Sequence, residues 1–282
     1  MEELKKYKDF DKKEFSLFTF QKEDGSFDYE AYIKEQTRLN RKKIDLNGPS
    51  WVLIEQLSHY VKQEFAQINH KPQFGLCHGT RKGEEQQHFS KFLDIPVLGT
   101  DISDTAENFP NTVRWDFHNV VDEWVNNVDF IYSNSLDHSY DPIHCLRQWF
   151  KCLRPGGICI LAWEKHDGEI DIKNQGVLNS PNGDLFQGTL DFYAKIIKIA
   201  GEMDGTTGLK YILNTEYMGA TNTSRILWDM KDSNWGLWDY HFVIQKISND
   251  HVYAPNPGKP ARQVTEHCKK RDIFYKTWKE KN

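Results

Sequence analysis

Apolar side chains recur at helical spacing over residues 1–70, a segment otherwise rich in polar residues. The spacing predicts one helix from Asp28 to about Ile44, with Asp28 as its N-cap, and a second helix capped by Ser50. The turn sequence Asn47-Gly48-Pro49-Ser50 separates the two helices. Because these residues hold too few apolar positions for an independent core, we predict an N-terminal helical cap on a larger domain.

Short apolar runs typical of buried strands alternate with helical segments from Lys71 onward. The predicted strands comprise residues 74–78, 95–100, 112–115, 128–133, 157–163, 211–217 and 240–247. The predicted helices comprise residues 84–92, 120–124, 142–153 and 189–200. This order predicts an α/β fold with a Rossmann-like, seven-stranded, mostly parallel sheet, helices on both faces and an antiparallel edge strand. We assign residues 71–250 to this domain and residues 251–282 to a C-terminal tail.

The charge and the cysteine content limit the cellular compartment and the binding partners that we expect. The chain has 36 Lys and Arg against 41 Asp and Glu, a formal charge of −5, so we expect neither nucleic acid nor an anionic membrane as a partner. Its five cysteines form no CxxC pair and lie mostly in apolar runs, which is typical of reduced thiols. The first residues lack the apolar stretch of a signal peptide, so we expect a cytoplasmic protein. The oligomeric state has no signature in the sequence.

A glycine-containing turn follows the first predicted strand of the sheet. It reads Cys77-His78-Gly79-Thr80-Arg81-Lys82-Gly83 and leads into a predicted helix. Glycine at a strand-to-helix turn permits positive φ and lets a ligand approach the backbone closely. We therefore expect a cofactor to rest on this turn.

Two aspartates stand at the ends of the next two strands. Asp101, followed by Ile102, can accept both hydrogen bonds of a ribose diol from its strand tip. Asp116, followed by Phe117, can accept a hydrogen bond from an adenine amino group while the phenyl ring packs on the base. The alternative for each aspartate is a turn-forming residue that only terminates its strand.

The downstream segment resembles a known family. It comprises Val128-Asp129-Phe130-Ile131-Tyr132-Ser133-Asn134-Ser135-Leu136-Asp137-His138, then Asp141-Pro142, then Leu153-Arg154-Pro155-Gly156-Gly157. In order and spacing it resembles the fourth strand, following helix and fifth strand of class I S-adenosylmethionine-dependent methyltransferases. Within that family it resembles the small-molecule branch that is similar to ubiquinone-biosynthesis methyltransferases. The resemblance covers residues 74–163.

The resemblance implies S-adenosyl-L-methionine as cofactor and a small molecule as methyl acceptor. The implied cofactor-binding candidates are Cys77, Gly79, Thr80, Arg81, Gly83, Asp101, Ile102, Asp116, Phe117, Ser133 and Asn134. Two of them depart from the family's acid-x-Gly-x-Gly-x-Gly motif. Cys77 replaces the acid, a customary acceptor for the methionine amino group, so that contact must come from elsewhere or from backbone. Arg81 replaces the middle glycine and either pairs with the methionine carboxylate or points to solvent.

Methyl transfer needs little from the protein besides alignment, because the cofactor leaves as a neutral thioether. A base is required only if the acceptor is a hydroxyl or a protonated amine. The candidates are His138 after the fourth strand and Glu164 and His166 after the fifth, each with a purely structural role as the alternative. Asp137, His138, Asp141 and His144 are crowded, but helix-turn geometry would have to bring them together, so we predict no metal.

These observations favour O-methylation of a small polar metabolite or biosynthetic intermediate. The sequence lacks the G-x-G-x-x-G of dinucleotide-dependent oxidoreductases, which share the same kind of sheet. A second hypothesis is a non-catalytic binding or scaffolding protein with a methyltransferase fold. The N-terminal helices form either a lid over the cofactor or a layer on the flank of the sheet.

Overall fold

The computed structural model describes residues 7–46, 48–163, 184–204, 207–214 and 240–246. Its helices, in chain order, are α1 (Tyr29–Lys42), α2 (Trp51–Gln67), α3 (Glu84–Leu93), α4 (Pro142–Cys152) and α5 (Leu190–Asp204). Its strands, in chain order, are β1 (Phe15–Leu17), β2 (Gly75–His78), β3 (Val97–Asp101), β4 (Thr112–Arg114), β5 (Val128–Ser133), β6 (Leu153–Trp163), β7 (Phe186–Gly188), β8 (Thr207–Asn214) and β9 (Tyr240–Lys246). The predicted tail, residues 251–282, lies outside the described residues.

Seven strands form one sheet in the order β4-β3-β2-β5-β6-β9-β8. The strands from β4 to β6 are parallel, whereas β9 runs antiparallel to both of its neighbours, β6 and β8. The predicted α/β fold with a mostly parallel sheet is confirmed, and in the part of the chain that the structure describes the last two strands of this sheet pair as predicted. The reversed strand itself lies one position in from the edge, which β8 forms.

Helix α2 packs on one face of the sheet. Ser50 caps it by accepting a hydrogen bond from the backbone N of Val52 at 3.3 Å. Its apolar stripe includes Ile54, Leu57 and Phe65, which are fully buried against strand residues from β2, β5 and β6. Burial of each such side chain contributes about 1.5–3 kcal/mol. Helices α4 and α5 contribute to the core on the other side.

Helix α1 packs in a different place. Asp28 caps it as predicted, accepting a hydrogen bond from the backbone N of Ala31 at 3.0 Å. Its buried Tyr32 packs with Leu185, Tyr140 and Ile102 rather than with the central strands. Ile102 directly follows β3, so α1 lies near the carboxyl ends of the parallel strands.

A small second sheet was not predicted. Strand β1 pairs antiparallel with β7, from Phe15 opposite Gly188 to Leu17 opposite Phe186. The Phe15 ring stacks on that of Phe192, with ring centroids 4.4 Å apart. A strand of three residues is too short to show alternation, so the helical reading of residues 1–70 misses it.

Two further expectations concern cysteines and membranes. Cys77, Cys145, Cys152 and Cys159 are buried free thiols, as their apolar surroundings predict. Within the ranges that the structure describes, every helix is too short or too polar to cross a bilayer.

Candidate functional site

A crevice opens at the carboxyl ends of β2, β3 and β5. The strand order reverses between β2 and β5, and in open α/β sheets ligands bind at such a switch point. Among the predicted site residues, those that line the crevice are Gly79, Arg81, Asp101, Ile102, Phe117 and His138.

The turn after β2 is shaped by Gly79. Its φ is +73°, and its backbone N donates to the carbonyl of Thr100 at 2.8 Å. A Cβ at this position would lie 2.4 Å from the Cβ of Ser135, a contact that the backbone cannot accommodate without shifting. The absence of a side chain at Gly79 therefore lets Ser135 pack against the turn, and Gly79 lines the crevice with backbone alone. Gly83, with φ +79°, stands at the N-cap of α3 and does not line the crevice.

Asp101 presents a buried carboxylate at the end of β3. One oxygen accepts from the backbone N of Arg81 and the other from the backbone N of Ser103, both at 2.8 Å. Burial raises the pKa of this carboxyl to about 6, although both amides and the Arg81 charge lower it. The side chain of Asn40 also donates to this carboxylate. Two carboxylate oxygens offer about four acceptor positions, so the carboxylate can still accept a hydrogen bond from a ligand in the crevice.

Asp116 is held by side chains that the sequence did not single out. One oxygen pairs with Nδ1 of His118 at 2.7 Å, and the other accepts from the hydroxyl of Tyr29 at 2.7 Å. Nε2 of His118 in turn lies 2.7 Å from the hydroxyl of Ser139. Burial works against ionisation of Asp116, yet the hydrogen bonds from His118 lower its pKa overall. The oxygen expected to face an adenine amino group thus contacts Tyr29.

Helix α1 supplies one wall of the crevice. The residues that it contributes are Tyr32, Gln36, Leu39, Asn40 and Lys43. They recur at the spacing of one helix face. Tyr32 and Gln36 are buried, and burial lowers the pKa of Lys43. The sequence predicted either a lid over the cofactor or a layer on the flank of the sheet for the N-terminal helices, but named none of these residues as part of the site. The available signal was the presence of polar residues on the side of an amphipathic helix that must be buried.

Comparisons with known proteins bear on the fold. No protein-family model matches the chain, and no curated protein sequence matches it. Among solved structures, the plantazolicin methyltransferase BpumL in complex with a triazolic desmethylPZN analog and SAH gives a TM-score of 0.52 at 12% identity, covering 78% of this chain and 98% of that chain. Its complex with a pentazolic analog gives 0.50 at 13% identity and covers 78% and 98%. This chain has a methyltransferase fold.

A third similar structure is the 1,6-didemethyltoxoflavin-N1-methyltransferase of Burkholderia thailandensis. Its TM-score is 0.49 at 13% identity, and the match covers 78% of this chain and 89% of that chain.

Four of the predicted cofactor-binding residues lie behind the crevice wall and not on its surface. Cys77 and Thr80 are buried below the turn. The Ser133 hydroxyl donates to the carbonyl of His78 at 3.0 Å, and Nδ2 of Asn134 donates to Oε1 of Glu85 at 3.4 Å. These four residues do not line the crevice. Glu164 and His166, the other two predicted catalytic residues, lie outside the described residues.

The Arg81 guanidinium has a role that neither alternative anticipated. One of its terminal nitrogens donates to the carbonyls of Lys43 and Leu46, each at 3.1 Å. Both carbonyls lie in the turn that follows α1, so Arg81 does not simply point to solvent. Instead it ties the turn after β2 to the helix across the crevice. Its backbone φ of +49° is uncommon for a residue with a side chain.

His138 faces the crevice beside two carboxylates. Burial lowers the pKa of its imidazole to about 4, although the charge of Asp184 raises it. The hydroxyl of Tyr32 donates to its backbone carbonyl at 3.3 Å. At neutral pH the ring is therefore uncharged and can accept a proton. Ligating atoms of Asp137, His138 and Asp184 lie within 4.8 Å of one another, so the chain brings together a potential cation-binding group where the sequence predicted no metal.

Proposed function

We propose that this chain binds S-adenosyl-L-methionine in the crevice and transfers its methyl group to a small polar acceptor. The observation that carries the proposal is the pairing of the bare Gly79 backbone with the Asp101 carboxylate on one crevice wall at the switch point of the sheet. The methyltransferase fold supports the same reading. We also propose that the chain belongs to the small-molecule branch of methyltransferases that its sequence resembles.

The residues present fit this cofactor. The backbone of Gly79 lines the crevice and offers a surface to the amino-acid end of the ligand, and Asp101 offers acceptors to the ribose hydroxyls. Ile102 and Phe117 offer apolar surface to the adenine, with Asp116 next to Phe117. When bound, the sulfonium supplies an activated methyl group whose departure needs no acid.

We propose a hydroxyl group as the acceptor, with His138 as the proton acceptor. A bond forms between the acceptor oxygen and the methyl carbon as the bond between sulfur and that carbon breaks. The hydroxyl proton passes to the neutral imidazole of His138, and the carboxylate of Asp184 stabilises the imidazolium that results. Helix α1 would act as a lid that excludes water from the crevice.

Calorimetric titration with S-adenosylmethionine and S-adenosylhomocysteine tests the cofactor. We expect binding of both ligands with one site per chain. A screen of hydroxyl-bearing metabolites with a labelled methyl donor, read by mass spectrometry of the product, then tests the acceptor. Absence of binding to either ligand would refute the proposal and favour a non-catalytic binding module with this fold.

A further inference from the structure

The first turn of α3 carries a buried carboxylate that the proposed function leaves unused. Glu85 is only 5% exposed. Its Oε1 accepts a long hydrogen bond from Asn134 at 3.4 Å, and its Oε2 has no hydrogen-bond partner anywhere in the described ranges. Burial raises the pKa of this carboxyl to about 7. Buried charges in proteins are normally paired, so an acceptor kept open at this depth indicates a missing cationic or donor partner.

A second unsatisfied group lies next to Glu85. Tyr132 on β5 is 1% exposed, and its hydroxyl also lacks a hydrogen-bond partner within the described part of the chain. Burial first, and then the negative charge of Glu85, raise the pKa of both the Tyr132 phenol and the Cys77 thiol. The carboxylate of Glu85 is therefore close to the end of β2, where Cys77 stands.

A chain of polar contacts joins Glu85 to the crevice wall. Oδ1 of Asn134, whose amide nitrogen contacts Glu85, lies 2.9 Å from the hydroxyl of Ser135. That hydroxyl also lies 3.1 Å from the carbonyl of Gly79. Ser135 and Gly79 both line the crevice. The open oxygen of Glu85 thus lies behind the turn on which we propose that the amino-acid end of the cofactor rests.

Other charged groups near Glu85 do not neutralise it. Arg81 lowers its pKa, but one terminal nitrogen of that guanidinium is committed to the end of α1. Glu84, the preceding residue, pairs with Lys82 at 3.1 Å and adds a further negative charge. Arg81 therefore offsets part of the Glu85 charge, but the open oxygen Oε2 still has no hydrogen-bond donor among the described residues.

We propose that Glu85 binds the ammonium group of the cofactor's amino-acid end, so that the first turn of α3 supplies the acid that Cys77 on β2 lacks. This inference rests on the proposed function. An ammonium group has three donors, and the open Oε2 can accept one of them as a charge-assisted hydrogen bond. The Tyr132 hydroxyl offers a further acceptor.

The test compares two ligands by calorimetry. S-Adenosylhomocysteine carries the ammonium group, whereas 5′-methylthioadenosine shares the adenosine and thioether but lacks the amino-acid end. Glu85→Gln should weaken binding of the first ligand about tenfold or more and leave that of the second within twofold. Glu84→Gln, the same change one residue earlier, should alter neither affinity.

Two outcomes overturn the proposal. Glu85→Gln retains full affinity for S-adenosylhomocysteine, or it loses affinity for both ligands equally, which indicates a structural role. If the wild-type chain binds neither ligand, the proposed function itself fails, which is a different result.

Two further variants extend the test, and the first of them keeps the proposal testable if Glu85→Gln does not fold. Glu85→Asp keeps the charge but withdraws it from the turn. The ratio of the affinity for S-adenosylhomocysteine to the affinity for 5′-methylthioadenosine should therefore fall several-fold. A ratio equal to that of wild type contradicts the proposal. Cys77→Asp in the Glu85→Gln background returns a carboxylate to β2 and should restore the affinity for S-adenosylhomocysteine to within about threefold of wild type.

Discussion

Asp101 ends β3 and Asp116 follows β4, but their surroundings push the pKa of the two carboxyl groups in opposite directions. Burial raises the pKa of Asp101 to about 6 despite two amide donors. Asp116 has protein donors on both oxygens, and His118 holds its pKa below the usual value against the effect of burial. Asp101 is therefore the carboxylate that gains more from the hydroxyl groups of a ligand.

Asp101→Asn should weaken binding of S-adenosylhomocysteine about tenfold or more, because the amide replaces one charged acceptor with a donor. Isothermal calorimetry gives the affinity, and circular dichroism should report an unchanged fold. The matched control is Asp104→Asn, since Asp104 pairs with Arg41 at the surface. An affinity of Asp101→Asn within threefold of wild type would remove Asp101 from the site.

Glu85 should make stability depend on pH in a predictable direction. Burial raises its pKa from the usual 4.5 to about 7, with Arg81 lowering it and Glu84 raising it. Between these two pH values the folded chain holds more protons than the unfolded chain, so a rise in pH lowers the free energy of unfolding. The melting temperature of Glu85→Gln should therefore equal that of wild type near pH 4.5 and exceed it by several degrees at pH 8.

Differential scanning calorimetry of both proteins across this pH range measures the difference. All other titrating groups are common to the pair, so the difference isolates Glu85. A gap that stays constant with pH would mean that the Glu85 carboxyl does not titrate in this window.

At the scale of elements, helix α1 is fastened to the sheet domain at both ends and along its length. Tyr29 at its start donates to Asp116, and Arg81 holds the carbonyls at its end. Between these points, the hydroxyl of Thr105 donates to Asn40 at 2.9 Å. The helix therefore lines the crevice with contacts to the sheet domain at both of its ends. Such a geometry is suited to slowing ligand release.

Arg81→Gln should loosen the end of α1 because it removes a charged donor from two carbonyls. We expect faster hydrogen exchange at the amides of residues 39–46 and several-fold faster release of S-adenosylhomocysteine in stopped-flow measurements. Arg38→Gln is the control, since the exposed Arg38 pairs only with the partly buried Glu35 on the same helix, as far as the described contacts go. Unchanged exchange and release rates in Arg81→Gln would refute a holding role for Arg81.

The sequence predicted those elements whose own pattern reveals them. The strands β5 and β6 contain the apolar runs Phe130–Tyr132 and Ile158–Ala162, and Asp28 and Ser50 are evident N-caps. Residues that depend on contacts distant in sequence were missed, including Tyr29 against Asp116 and the pairing of β1 with β7. Glu85 was missed because it stands in a run of polar residues, Glu84-Glu85-Gln86-Gln87, which gives no sign of burial. Only the fold brings it against Cys77 and Tyr132.

At the scale of the whole molecule, the strand order places the crevice at the point where the chain changes the direction in which it adds strands to the sheet. From β2 the chain proceeds outward to β3 and β4 on one side, then returns to β5 and β6 on the other. The loops after β2 and β5 therefore diverge, and both contribute to the same cavity. A ligand there contacts both halves of the sheet.

Binding at this position should stabilise the entire fold. A ligand at 100 times its Kd adds about 2.7 kcal/mol to the free energy of unfolding, which corresponds to roughly 5–10 °C in melting temperature for a domain of this size. We expect such a shift with S-adenosylhomocysteine in differential scanning fluorimetry. NAD, the cofactor of the rival oxidoreductase class, should give none. A shift with NAD alone would contradict the proposed cofactor.

The position of β9 between β6 and β8 has a consequence for biosynthesis. The free edge of β6, with the apolar run Ile158–Leu161, finds its partner only when residues 240–246 have been made. At translation rates of about 5–20 residues per second, the interval from Trp163 to Lys246 lasts roughly 4–17 s. During that interval the nascent chain displays an unpaired apolar strand, which is a template for pairing with other chains. A ribosome-associated chaperone that shields this strand should therefore raise the yield of soluble protein.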